Sequence, residues 1–106
     1  MKFFPNRESD IEGVMTNNKP SRRYICSGYR PAFRVKNDYL TTGVINLIGR
    51  ETLECGEESP AEIWFITPEF YPNCLEVGQI IQFQEGSEVH GFIKITKIRN
   101  KVLEKR

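Results

Sequence analysis

Long hydrophobic runs are missing from this chain of 106 residues. Residues 63–66 are typical of its short apolar runs, whereas a helix that spans a bilayer needs roughly 20 apolar residues. Residues 1–7 carry positive charge, but they have neither a longer apolar stretch nor a small-residue cleavage site, so no secretory signal is predicted. We therefore expect a cytoplasmic protein with no membrane partner.

Cysteine and histidine are scarce. The three cysteines, Cys26, Cys55 and Cys74, are odd in number and widely spaced, which favours free thiols in a reducing compartment over a disulfide framework. Together with the one histidine, His90, they offer no paired zinc ligands. The Gly-x-x-x-x-Gly-Lys-Ser/Thr loop of P-loop nucleotide hydrolases is also absent. The sequence therefore predicts no metal, cofactor or nucleotide.

Sets of catalytic residues are missing as well. His90 has no cysteine or serine nucleophile directly beside it, and we interpret it as a half-exposed residue of a sheet. The glutamates of segment 51–58 fall in a predicted surface loop, where carboxylates are usually solvated. Cys26 is interpreted as a small buried apolar residue. We predict that the chain is not an enzyme, because a Cys- or carboxylate-dependent hydrolase has no supporting set of residues here.

What is present is the composition of one soluble globular domain, with 39% hydrophobic and 27% charged residues. Glycine and proline punctuate the chain, and the segments between them are short and rich in Val, Ile, Tyr, Phe and Thr, which is typical of strands. No window sustains the 3.6-residue apolar period of a helix. We predict six strands, at residues 10–16, 29–36, 42–48, 61–67, 79–84 and 89–98.

Apolar patterning indicates how these strands pack. Alternation in the last strand predicts an inward face made of Val89, Gly91, Ile93 and Ile95. The run 63–66 is apolar on both faces, so we expect it to be covered on both sides or to meet a partner with one of them. Six short strands indicate a barrel or a sandwich, and closure into a barrel would remove exposed edges. An all-β fold is therefore predicted.

Charge is unevenly distributed behind a net charge of +1. Five basic residues lie between positions 22 and 36, segment 94–106 holds six more, and segment 51–69 holds six glutamates and no Lys or Arg. Such poles could steer a polyanion or a charged protein surface to one end, although solvated strand edges and tails explain them equally well. By the same patterning, we predict an unstructured extension at 1–9, a barrel at 10–99 and a frayed basic tail at 100–106.

Three segments resemble the third, C-terminal domain of bacterial elongation factor Tu. Segment 28–33, Gly-Tyr-Arg-Pro-Ala-Phe, resembles the family's Gly-Tyr-Arg-Pro-Gln-Phe, and segment 42–47 is similar to its Thr-Gly-Thr-Ile-Glu-Leu strand. Segment 83–87, followed by Gly91 and Lys97, resembles the family's final hairpin. The resemblance covers residues 10–98. It implies a single closed six-stranded antiparallel barrel with Greek-key connections, detached from any GTPase domain.

In that family the barrel helps to hold the T-stem of aminoacyl-tRNA, while guanine nucleotide and Mg²⁺ are bound elsewhere. The resemblance implies RNA contacts at these positions: Arg30, Thr42, Glu85 and Gly86, with Arg22 and Arg23 where the family has a basic pair. The chain departs from the pattern at Ala32, in place of glutamine, at Glu88, in place of arginine, and at Thr67, where an RNA contact is often found. A glutamate beside phosphates is repulsive, so we expect weaker tRNA binding than in the family.

Two functions follow as hypotheses. The first is a non-catalytic module that contacts the T-stem backbone of tRNA, or a ligand of a translation factor. The second is a protein-interaction domain with no RNA binding, a decoy or an antitoxin- or immunity-like mimic of elongation factor Tu. Its docking residues would be Trp64, Glu57, Glu58 and Glu62. We favour the first, because RNA contact is what the resemblance implies.

Overall fold

A computed structural model describes residues 5–18, 24–36 and 39–105 of the chain. Within them lie two short 3-10 helices, Pro68–Phe70 and Lys101–Leu103, and no helix there has the length and apolar content that a membrane span requires. The strands of this part of the chain are β1 (Ile11–Asn17), β2 (Ile25–Cys26), β3 (Ala32–Lys36), β4 (Tyr39–Leu47), β5 (Thr52–Leu53), β6 (Glu58–Phe65), β7 (Ile80–Glu85) and β8 (Glu88–Ile98). Each of the six predicted strands overlaps one long strand, whereas β2 and β5 are additional.

The six long strands form a closed antiparallel barrel in the order β1-β6-β4-β3-β7-β8, with β8 pairing back onto β1. β3, β4 and β6 form a meander of neighbouring antiparallel strands. A long connection joins β1 to β3, yet β1 lies beside β6, at the other side of the meander. These four strands therefore form a Greek key. β2 and β5 form a separate two-stranded sheet. The predicted all-β fold, a single closed six-stranded antiparallel barrel, is confirmed.

The barrel interior is filled by every second side chain of its strands. Phe33 of β3 lies in this core, edge to face with Phe65 at a centroid distance of 5.7 Å and 5.9 Å from the ring of Phe83. Gly43 on the neighbouring strand β4 leaves room for this ring, since a Cβ there would lie 2.8 Å from it. Aromatic residues of three separate strands, β3, β6 and β7, therefore meet in one core.

A β-bulge changes the expected faces of β8. Phe83 pairs with Gly91 but Gln84 pairs with Val89, so His90 is an extra residue opposite β7. As a result His90 is buried and Val89 is 45% exposed, which makes the predictions for both residues wrong. Gly91, Ile93 and Ile95 do point inward.

Cys26 also differs from its interpretation as a buried residue. It is exposed, because it alternates with the buried Ile25 on the two-residue strand β2. Cys55 is exposed and Cys74 is buried, and all three thiols are free.

Asp10, immediately before β1, has a fully buried carboxylate. Its Oδ1 accepts hydrogen bonds from Arg7 Nη1 at 2.6 Å and from Asn100 Nδ2 at 2.9 Å. Its Oδ2 accepts from the backbone N–H of Phe65 at 2.7 Å and from Arg7 Nη2 at 3.2 Å. These contacts, which we call the Asp10 clasp, join the N-terminal segment, the end of β6 and the segment after β8.

The N-terminal segment covers the outer face of β6. The indole Nε1 of Trp64 donates to the carbonyl of Arg7 at 2.7 Å, and Arg7 Nη2 donates to the carbonyl of Phe65 at 2.8 Å. Of the extension predicted at 1–9, the structure describes residues 5–9, which form neither helix nor strand but are held by these contacts.

The segment after β8 is docked, so the expectation that residues 100–106 are frayed is wrong for the described residues 100–105. Leu103 is fully buried, and its carbonyl accepts hydrogen bonds from the N–H groups of Cys74 and Leu75 at 2.9 and 2.8 Å. The Asn100 side chain caps the second 3-10 helix by accepting from the N–H of Val102. Burial of Leu103 and these hydrogen bonds oppose the entropy cost of ordering the segment.

Removal of the central aromatic ring tests the packing of the core. We expect Phe33→Ala to lower the free energy of unfolding by about 3–5 kcal/mol, because the lost ring leaves a cavity among Phe65 and Phe83. The matched substitution Phe70→Ala removes a ring that is 66% exposed and should change stability by less than about 0.5 kcal/mol. Urea denaturation measures both values, and equal losses in the two variants would contradict this description of the core.

Removal of the buried carboxylate tests the clasp. We expect Asp10→Ala to lower the free energy of unfolding by about 3 kcal/mol, because Arg7 and the N–H of Phe65 lose their acceptor. Release of the segment over Trp64, the one tryptophan, should shift its fluorescence emission to longer wavelength. Glu8→Ala, an exposed neighbouring carboxylate, is the control and should leave both readouts unchanged. An unshifted emission maximum in a folded Asp10→Ala protein would contradict the clasp.

Candidate nucleic-acid interface

The Gly-Tyr-Arg-Pro motif at residues 28–31 precedes β3 and continues its hydrogen bonding to β4. Gly28 N–H donates to the carbonyl of Ile45 at 2.7 Å, Ile45 N–H donates to the carbonyl of Tyr29 at 3.0 Å, and Gly43 N–H donates to the carbonyl of Pro31 at 3.2 Å. The backbone is therefore extended, and side chains alternate between the two sides of the barrel wall. Pro31 is buried, whereas Arg30 is exposed on the outer face.

Thr42 lies on the same outer face, one strand away. It pairs with Ala32 of β3, which in turn pairs with Gln84 of β7, so the three residues form a row across the sheet. Neighbouring strands are about 4.8 Å apart, which places the backbones of Thr42 and Gln84 about 10 Å apart. The β7–β8 turn follows directly after Gln84, and its Gly86 has a φ of 59°, in the left-handed region that glycine tolerates.

The four described RNA candidates thus come together at one end of β4, β3 and β7. The connection between Arg30 and the turn is Tyr29, whose hydroxyl donates a hydrogen bond to the carboxylate of Glu85. Gln84 Nε2 donates to the carbonyl of Gly86 at 2.6 Å and fixes the turn itself. Arg22 and Arg23, the other two candidates, lie outside the described residues. We call the outer surface formed by Arg30, Thr42 and residues 85–86 the motif face.

Glu85 is held within the protein. Besides the bond from Tyr29, its Oε2 lies 3.6 Å from His90 Nδ1, and His90 Nε2 lies 2.8 Å from Glu88 Oε1. Glu85 therefore anchors the turn to the motif, and a direct RNA contact would have to come from its backbone or from Gly86. Two carboxylates around one imidazole also keep negative charge at this rim.

Burial changes the acidity of two groups, the Tyr29 hydroxyl and the Cys74 thiol. Burial is the main cause that raises the pKa of the Tyr29 hydroxyl, and the bond to Glu85 and its negative charge add to it, so the group stays protonated at neutral pH. Burial likewise raises the pKa of the Cys74 thiol, which lowers its nucleophilic thiolate fraction. Within the described ranges, no group of three or more His, Cys, Asp or Glu side chains is placed to hold a metal ion.

Two further cations lie along β3, which the motif comparison did not select. Arg34 is half-buried and Lys36 is exposed. Both lie on the outer face, Arg34 four residues after Arg30 and Lys36 two residues after Arg34. None of these three cations forms an ion pair with another residue that the structure describes. The even spacing in a predicted strand was the signal that could have found them.

Most of the protein-docking candidates are engaged in contacts within the protein. Trp64 is 7% exposed and donates to a carbonyl of the N-terminal segment, and its role in docking stays a prediction. In the run 63–66, Ile63 and Phe65 enter the core and Ile66 is 60% exposed. The apolar run is thus covered on both sides over three of its four residues.

The three glutamates of that hypothesis have separate places. Glu57 accepts hydrogen bonds from Arg50 Nη2 at 2.7 Å and from the N–H of Glu54 at 2.8 Å, which closes the turn between β5 and β6. Glu62 accepts from Asn46 Nδ2 at 2.8 Å and from Ser9 Oγ at 3.0 Å. Glu58 is exposed and accepts from Thr16 Oγ1 at 3.5 Å. All three carboxylates therefore have contacts within the protein.

No protein-family model matches this chain, and a search of curated proteins finds no match either.

The Tyr29 hydroxyl predicts an alkaline loss of stability, because burial and then its bond to Glu85 raise its pKa in the folded state. Its contribution is complete below the unfolded value of 10.0 and is lost as pH rises above that value. The slope should reach about 1.4 kcal/mol per pH unit for this one group. Tyr29→Phe should remove this part of the slope, whereas Tyr71, whose pKa is also raised by burial, should still contribute its own part. Urea midpoints between pH 8 and pH 11 measure the slope, and an equal slope in Tyr29→Phe would contradict the burial of this hydroxyl.

Proposed function

We propose that this protein is a non-catalytic cytoplasmic module that contacts the backbone of an RNA helix, the T-stem of tRNA, through the motif face. The observation that carries the proposal is the placement of Arg30. It is exposed, it is not ion-paired with any described residue, and it lies on the outer face two residues before Ala32, the partner of Thr42. An arginine in that state retains its five N–H donors for phosphate oxygens.

The chemistry of the motif face suits recognition by shape. Double-stranded RNA exposes phosphates and 2′-hydroxyls along a shallow minor groove, and proteins hold it without reading bases. Arg30 would take a phosphate, and the Thr42 hydroxyl is a donor and acceptor within reach of a ribose. Gly86 in the β7–β8 turn has no side chain, which lets a sugar-phosphate backbone approach its peptide groups closely.

Position supports the same assignment. The Tyr29–Glu85 bond holds the turn against the residue that precedes Arg30, so the two halves of the motif face are fixed relative to each other. Preorganised groups lose less entropy when a ligand binds. The segments that resemble elongation factor Tu are those that build this surface.

Charge sets the expected strength. The net charge of +1 and the carboxylates of Glu85 and Glu88 at the rim oppose a polyanion, so we expect micromolar affinity that falls steeply with salt. Steering comes from Arg34 and Lys36, which add positive potential along the same strand.

Binding of bulk tRNA at two salt concentrations tests the proposal. We expect Arg30→Ala to weaken binding about tenfold and to reduce the slope of log affinity against log salt by about 1, because one phosphate contact is lost. Lys97→Ala is the matched control, since Lys97 is an exposed cation on β8 beside β1, and it should leave both values unchanged.

A parallel titration with elongation factor Tu and its exchange factor separates the two hypotheses. Saturable binding to either protein, without tRNA binding at micromolar concentrations, would contradict the RNA proposal and support the protein-interaction alternative. Equal effects of Arg30→Ala and Lys97→Ala on tRNA affinity would contradict the motif face as the contact surface.

A further inference from the structure

A groove opens at the other end of β3, where the barrel wall is incompletely paired. β3 and β7 pair at two positions, Ala32 with Gln84 and Phe33 with Phe83. Both strands continue for three residues beyond these pairs, as segments 34–36 and 80–82. The groove along these segments has a volume of about 420 Å³, in the range of ligand pockets.

The groove combines cations with exposed aliphatic side chains. Arg34 and Lys36 line it from β3, while Ile80 of β7 is 60% exposed and Val89 of β8 is 45% exposed. Phe92 contributes a half-buried ring. None of the described residues that line the groove is acidic. The groove therefore offers both positive charge and apolar surface to a ligand.

We propose that this groove binds an extended acidic segment of a partner protein. Strand segments that diverge from their neighbour leave backbone N–H and C=O groups for an added extended chain, which is a common mode of peptide recognition. The cations and the exposed aliphatic side chains of the groove lie on the outer side of the wall, and every second side chain of an extended chain faces one side. The occupant should therefore carry both Asp or Glu and Val, Ile or Leu among side chains spaced two residues apart. On that side its apolar side chains pack on Ile80, Val89 and Phe92, and its carboxylates pair with Arg34 and Lys36.

The lining favours polypeptide over single-stranded RNA. Sites for unpaired bases stack them on several aromatic side chains, and the described residues that line this groove include one aromatic ring, at Phe92. Ile80 and Val89 offer no planar surface to a base, but they match the aliphatic side chains of a strand. The groove is also separate from Arg30 and Thr42, neither of which lines it, so the proposal stands apart from the proposed RNA contact.

A random 12-residue peptide display library, selected on the folded chain, tests the groove. We expect enrichment of peptides in which acidic and aliphatic residues both occur at positions spaced two residues apart. Synthetic versions of two enriched peptides should shift amide signals of residues 34–36, 79–82 and 89–92 in a ¹⁵N-labelled sample. Arg34→Glu/Lys36→Glu should weaken their binding at least tenfold, and Lys97→Glu/Lys101→Glu, which makes the same charge change elsewhere, should leave it within twofold.

Ile80→Thr is a second variant that removes an exposed apolar contact without touching the core, and it should weaken binding about threefold to tenfold. The amide spectrum and urea midpoint of each variant confirm its fold. No enrichment, enrichment of basic peptides, or amide shifts outside the groove would overturn the proposal. Shifts of the same groove residues by a single-stranded oligouridylate, with no peptide enriched, would overturn it in favour of RNA.

Discussion

The buried carboxylate of Asp10 is the contact on which the rest of the structure depends. It joins β6, the N-terminal segment and the segment after β8, next to the place where β1 closes the barrel against β8. A carboxylate without water is costly unless its lone pairs are occupied, and here four hydrogen bonds occupy them. The clasp therefore stabilises closure and fixes which outer surface is covered.

The position of the N-terminal segment affects which outer surfaces of the barrel can bind a partner. The N-terminal segment lies over Trp64, so this part of the outer face of β6 is covered by the chain itself. Along the line of β3, Arg30 is exposed at one end, and the half-buried Arg34 and the exposed Lys36 lie at the other. Both proposed binding surfaces adjoin β3, and the pairing of β3 with β7 divides them. An RNA helix and an acidic peptide would thus use opposite ends of this strand.

Most of the barrel could be predicted from the sequence, because its long strands show alternation and are separated by glycine and proline. β2 and β5 could not, since two residues are too short to establish a period. The bulge at His90 was also hidden, because regular alternation carries no mark of an extra residue. It reversed the exposure expected for Val89 and for His90 itself.

The candidate site was predictable in part. The motif residues Arg30, Thr42 and Gly86 meet because strand pairing brings segments 28–33, 42–47 and 83–87 side by side. The cover over Trp64 was not predictable, because its partner Arg7 lies 57 positions earlier in the chain and presents a backbone carbonyl, which has no sequence signature. The commitment of Glu85 to Tyr29 depends in the same way on a contact across 56 positions.

A titration of the ¹⁵N-labelled chain with a tRNA T-stem–loop hairpin, followed by amide chemical shifts, tests whether the motif face contacts the backbone of an RNA helix. We expect saturable shifts at Arg30, Thr42 and Gly86, and none at Lys97 on β8. Absence of shifts at millimolar hairpin, or shifts confined to residues away from the motif face, would rule out the proposed RNA contact.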